Sequence, residues 1–173
     1  LCEYLGGKYI AYTEEKPITM NPFNITKEEL NIEKVDFLKN LILMIWKGTD
    51  DKISELEFRI VEQIVTEYYD VYFSGFEHYT PSKRDNIRST LMAAEKRKDA
   101  TRDAQELNTL VNQKINDLET RRKSLKVESL SFNSFYEYST EALEIICVES
   151  NIADIDYDKY RFMLQPFYKG GNY

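Results

Sequence analysis

Apolar residues recur along most of this chain at the spacing of an α-helix. Positions 53, 56, 60, 64, 68 and 71 are apolar and average 3.6 residues per step, which places them on one helix face. Ser54 and Glu57 precede that run as a capping box, so a helix is predicted from there to about residue 73, ended by Ser74-Gly75. An earlier helix is predicted over 32–46. Its second half, Leu41-Ile42-Leu43-Met44-Ile45-Trp46, is apolar on every side and should make it the central, most buried helix. Thr26 and Glu29 form another capping pattern, which should open one short turn.

The pattern is helical again from Ser82 to about Leu125. Leu107, Val111, Ile115, Leu118, Arg122 and Leu125 also average 3.6 per step, an apolar stripe interrupted by Arg122. One narrow stripe is best buried against a neighbouring antiparallel helix, so a long hairpin is predicted over 82–125. Between its arms, eight of the twelve residues of 95–106 are charged and none is a large hydrophobe. That stretch reads as a solvated helix or a frayed turn, the least stable part of the chain. Further helices are expected from about Ser134 and over 156–168, the last stopped by Gly170-Gly171. Near the start, Gly6-Gly7 should end a preceding helix, 8–12 reads as a short strand and 13–25 as an ordered loop. The predicted fold is mainly α, with a short N-terminal β element.

Composition narrows the function classes. The 173 residues suit one domain; 23 basic against 30 acidic side chains leave a net charge of −7, which argues against a general nucleic-acid or anionic-membrane binder. The longest apolar run has six residues, well short of the roughly 20 of a membrane span. Cys2 and Cys147 stand at opposite ends and are expected to be free thiols in a reducing compartment, Cys147 buried and inert. The chain begins at Leu1 rather than Met, so a segment of a longer protein is expected.

Catalytic motifs fail on their own chemistry. A phosphate-binding loop needs Gly, four residues, then Gly-Lys-Ser/Thr, but around Gly7-Lys8 the outer positions are Cys2 and Tyr9. No three glycines have dinucleotide-binding spacing. His78 is the only histidine, too little for zinc or for a nucleophile triad that does not rely on it. The adjacent acids Glu28-Glu29 and Asp50-Asp51 fit caps and turns. Ile145-Ile146-Cys147-Val148-Glu149 imitates a strand ending in a metal-supporting acid, although helical spacing upstream favours an amphipathic helix. No catalytic, cofactor-binding or metal residue is therefore assigned. The interaction candidates are Lys96, Arg97 and Lys98 with Arg121, Arg122 and Lys123, which a hairpin pivoting near 103 would bring to related heights. Interleaved acids dilute their field, so a solvated face is favoured over DNA contact.

Three segments carry a family resemblance. Leu1-Cys2-Glu3-Tyr4-Leu5-Gly6-Gly7-Lys8-Tyr9-Ile10 with Met20-Asn21-Pro22-Phe23 resembles the stretch after the phosphate loop in TraG-type ATPases of bacterial conjugative transposons. The run Leu41 to Gly48, and Tyr160-Arg161-Phe162-Met163-Leu164 with Phe167-Tyr168-Lys169-Gly170-Gly171, are similar to the same family. The resemblance implies a relative of type IV secretion ATPases, with the nucleotide loop before the Gly-Gly-x-Tyr segment and the hydrolytic acidic strand after Tyr-Lys-Gly-Gly. On that footing 1–25 is the edge of a motor core and 26–173 a helical insert between the two nucleotide motifs. No cofactor is expected for this chain, while ATP and magnesium are implied for the parent. The implied partners are the motor core, neighbouring subunits and secretion-channel components, with DNA met only indirectly. The implied location is cytoplasmic, at the inner face of the bacterial membrane. A stand-alone helical adaptor and a weak DNA-contacting hairpin remain the alternatives.

Overall fold

The computed structural model describes residues 21–48, 52–75 and 79–169. They form α1 (Ile32–Lys47), α2 (Glu55–Ser74), α3 (Pro81–Lys98), α4 (Ala104–Ser124), α5 (Phe132–Glu149) and α6 (Tyr157–Leu164), followed by a 3-10 turn at Gln165–Phe167. No strand occurs among the described residues. The strand expected at 8–12, the Gly6-Gly7 and Gly170-Gly171 stops, Cys2, Asp50-Asp51 and His78 lie outside them.

Local chemistry sets most helix starts. The Ser54 hydroxyl accepts from the Glu57 N–H at 3.2 Å and the Glu57 carboxylate accepts from the Ser54 N–H at 2.8 Å, closing the expected capping box. That carboxylate also meets Lys47 of α1 at 2.5 Å, tying the end of one helix to the start of the next. Thr26 and Glu29 make the same reciprocal bonds around a single turn, as expected. Helix α5 starts at Phe132, earlier than expected, because Ser131 caps it and Ser134 returns the bond. Helix α6 stops at Leu164, earlier than expected, because Pro166 has no N–H to continue the ladder and the chain tightens into the 3-10 turn.

The larger core lies among α1, α2, α5 and α6. Trp46 is fully buried and meets Tyr160 edge-on at 5.1 Å. Phe23, ahead of the first helix, sits among Tyr68, Phe132 and Phe135, and its carbonyl accepts from the Tyr69 hydroxyl at 2.9 Å. Each such aromatic contributes roughly 1.5–3 kcal/mol through the surface it removes from water.

The central helix is α5, not α1. It packs against α2, α3, α4 and α6, whereas α1 meets α2 and α6. Met44 and Phe37 of α1 remain 61% and 53% exposed. An all-round apolar surface does not by itself decide which faces acquire neighbours. α5 is also a helix through its last residues, so the strand-like reading of Ile145 to Glu149 falls away.

The hairpin is present, with α3 and α4 packed on each other through a second, smaller core. Its turn covers only residues 99–103, because α3 continues through Lys98. The charged stretch is therefore not simply solvated: Glu95, at its start, is buried.

Candidate interaction surface on the helical hairpin

Leu107, Val111, Ile115 and Leu118 of α4 face Ile87 and Leu91 of α3, and Ile145 of α5 completes the cluster. The stripe seen in sequence is thus consumed internally, and the outer faces of both arms are left polar. At the tip, Glu95 gathers three cations: Lys114 at 2.6 Å, Lys98 at 3.2 Å and Arg102 at 3.2 Å. Foremost the Lys114 ammonium, opposed by burial and helped by Lys98, holds the Glu95 carboxyl at about 2, below its ordinary 4.5. Asp99 accepts from the Thr101 N–H and hydroxyl, and Asp103 caps α4, so the turn is stitched by its own side chains.

At the base, Arg122 is fully buried on α4. Its guanidinium reaches Glu67 of α2 at 2.6 Å and Glu149 of α5 at 3.3 Å. Burial acts against this charge, but Glu67 and Glu149 outweigh it and raise Arg122 above its ordinary value. The Tyr79 hydroxyl donates to Glu149 at 2.5 Å, and burial followed by that carboxylate pushes Tyr79 well above the usual phenol range. The Gln63 amide donates to Glu67 at 2.8 Å, while Lys83 approaches Glu67 and Glu149 at 3.7 and 4.0 Å. Beside this cluster a cleft of about 670 Å³ opens between Val71, Gly75, Tyr79, Leu125 and Val127, with Lys123 and Lys126 on its edge.

The candidate cations divide accordingly. Lys96, Arg97 and Lys98 lie in the last turn of α3, at the tip; Arg121, Arg122 and Lys123 lie in the last turn of α4, at the base. The arms run antiparallel about a turn at 99–103, so the two groups are not level. They stand about 27 Å apart by helical rise. Arg122 is buried, Arg121 binds Glu141 at 2.6 Å and Glu144 at 3.0 Å, and Lys98 leans on Glu95, whereas Lys96, Arg97 and Lys123 are exposed. Sequence reasoning missed Glu67, Glu95 and Glu149 as the partners that matter. The available signal was Arg122 itself, a lone cation on an apolar stripe, which demands buried carboxylates.

Among the described residues no glycine-rich loop opens a helix. Both described glycines, Gly48 and Gly75, cap helix C-termini, where carbonyls rather than N–H groups point outward. No group of three or more His, Cys, Asp or Glu side chains that could hold a metal ion occurs among them. No helix among them is long and apolar enough to cross a membrane.

No curated protein matches the chain, and no solved structure does. The family model of the TraG P-loop domain matches residues 1–81 and 71–173, which together span the whole sequence. A match of that extent agrees with the resemblance carried by the opening, central and closing motifs, and the chain belongs to the TraG P-loop domain family as a relative of TraG-type conjugation ATPases.

Proposed function

We propose that this chain is a helical region of a bacterial conjugative-transfer ATPase, of the kind found on conjugative transposons, that helps power DNA transfer through a type IV secretion-like apparatus. Its own work is protein interaction rather than catalysis: it packs on the motor core and offers the hairpin to a neighbouring subunit or a secretion-channel component. The ATP and magnesium belong to other parts of that ATPase, which works in the cytoplasm against the inner membrane face.

The observation that carries this reading is the hairpin itself. Its apolar stripe is buried against α3 and α5, and its outer face and tip display charge. The exposed apolar stripe of Phe37 and Met44 on α1 adds support, since residues seven apart share a helix face and an isolated domain has no need to leave both in water. Protein contact is favoured over DNA contact because Arg121 and Arg122 already serve carboxylates and the basic groups stand at opposite ends of the arm.

The test is a shortened hairpin in the intact conjugation ATPase. Residues 89–118 are replaced by a short Gly/Ser linker, which keeps Arg122 and costs little in loop closure. Nucleotide affinity should be retained and transfer frequency should fall. Normal transfer would overturn the interaction role, and lost nucleotide affinity would make the hairpin part of the nucleotide-binding fold.

A further inference from the structure

The described residues contain two apolar clusters, one among α1, α2, α5 and α6 and one inside the hairpin. Only a little apolar surface joins them: Ile145 of α5 reaches the hairpin cluster, and Leu125 packs against both. The rest of the seat is ionic. Arg122 bridges Glu67 and Glu149, Lys83 stands over the same two carboxylates, and Arg121 grips Glu141 and Glu144. A seat of this kind is close to all-or-none. A buried guanidinium is tolerable only with its carboxylates in place, and without it Glu67 and Glu149 face each other with the more distant Lys83, at 3.7 and 4.0 Å, as the cation left between them. The hairpin meanwhile keeps its own core and the Glu95 cluster at its tip, so it retains its internal contacts when the seat is broken.

We propose that the α3–α4 hairpin is a hinged arm, seated on the bundle by the Arg122–Glu67–Glu149 cluster and able to swing outward as an intact unit when that cluster is broken. This goes beyond the interaction reading and does not depend on it, because the motion belongs to the chain alone. It is a discrete domain movement, with a closed state defined by one set of ion pairs. The cleft beside Arg122 lies between the arm and the bundle and would widen as the arm lifts.

The experiment reads the distance from the tip to the bundle in the full chain. Nitroxide labels are placed through Thr101→Cys and Thr66→Cys, both exposed positions, with Cys2→Ser and with buried Cys147 left unlabelled. Pulsed dipolar spectroscopy should give one narrow distance in this background. Adding Arg122→Met should produce a second, longer population while the far-ultraviolet helical signal is kept. Neutralising the two carboxylates as well, through Glu67→Gln and Glu149→Gln, should return most of the narrow distance, since the repulsion is then gone. Should Arg122→Met lose its helical signal, Arg122→Lys decides by the same measurement. An unchanged narrow distance in the Arg122 variant that stays folded would overturn the proposal. So would loss of helix in both, which would make arm and bundle one cooperative unit.

Discussion

At the scale of single residues, the two tyrosines Tyr69 and Tyr72 sit three apart on α2 and do opposite things. The Tyr69 hydroxyl is buried and donates to the Phe23 carbonyl, which also accepts from the Ile25 N–H at 3.0 Å, so Tyr69→Phe removes one of two hydrogen bonds at that buried acceptor. Denaturant melts should show a loss of about 0.5–1.5 kcal/mol. Tyr72 is 40% exposed, and Tyr72→Phe should stay within about 0.5 kcal/mol of the unsubstituted chain. Equal effects would mean that the Phe23 loop is not anchored as described. Cys147 is fully buried and burial pushes its thiol above the ordinary value, so a thiol reagent should leave it untouched in the folded chain and modify it once unfolded. Rapid labelling under native conditions would contradict the α5 packing. Some of this scale was legible in advance. Cys147 inside an apolar run already read as a buried thiol, but Glu149 beside it read as an imitation metal ligand because its true partner, Arg122, is 27 residues away.

At the scale of elements, local chemistry was readable wherever it acts within a few residues. The Ser54 and Glu57 pair announced α2 because both halves of the box lie within one turn. Misjudgements arose where a distant partner decides. Glu95 looked solvated among its charged neighbours, yet Lys114 from the other arm buries it. That pairing has a pH signature. Glu95 is held at about 2 against an ordinary 4.5, so its contribution is complete above 4.5 and is lost as pH falls toward 2. Urea midpoints measured over that window should decline in the unsubstituted chain, and Glu95→Gln should start lower at neutral pH and flatten that part of the slope. An unaltered slope would exclude Glu95 as a contributor. Because α3 stays helical to Lys98, trypsin acting within 81–125 should cut first between Arg97 and Ala104. A first cut in the middle of either arm would deny the hairpin its stated core.

At the scale of the whole molecule, the six helices of the described residues and the existence of the hairpin followed from periodicity, but the choice of central helix did not. Apolar content pointed to α1, whereas the neighbours α2, α3, α4 and α6 gather around α5. Periodicity is a property of one element, while centrality depends on how all of them assemble. The family assignment, in turn, rests on motifs spread from end to end rather than on any catalytic residue. The chain belongs to the TraG P-loop domain family, and the proposed function has its residues build contacts rather than a nucleotide site. Calorimetric titration of the chain with ATP and magnesium tests that claim most directly. The prediction is no saturable binding heat. Saturable one-to-one binding would contradict it and return attention to Gly6-Gly7-Lys8.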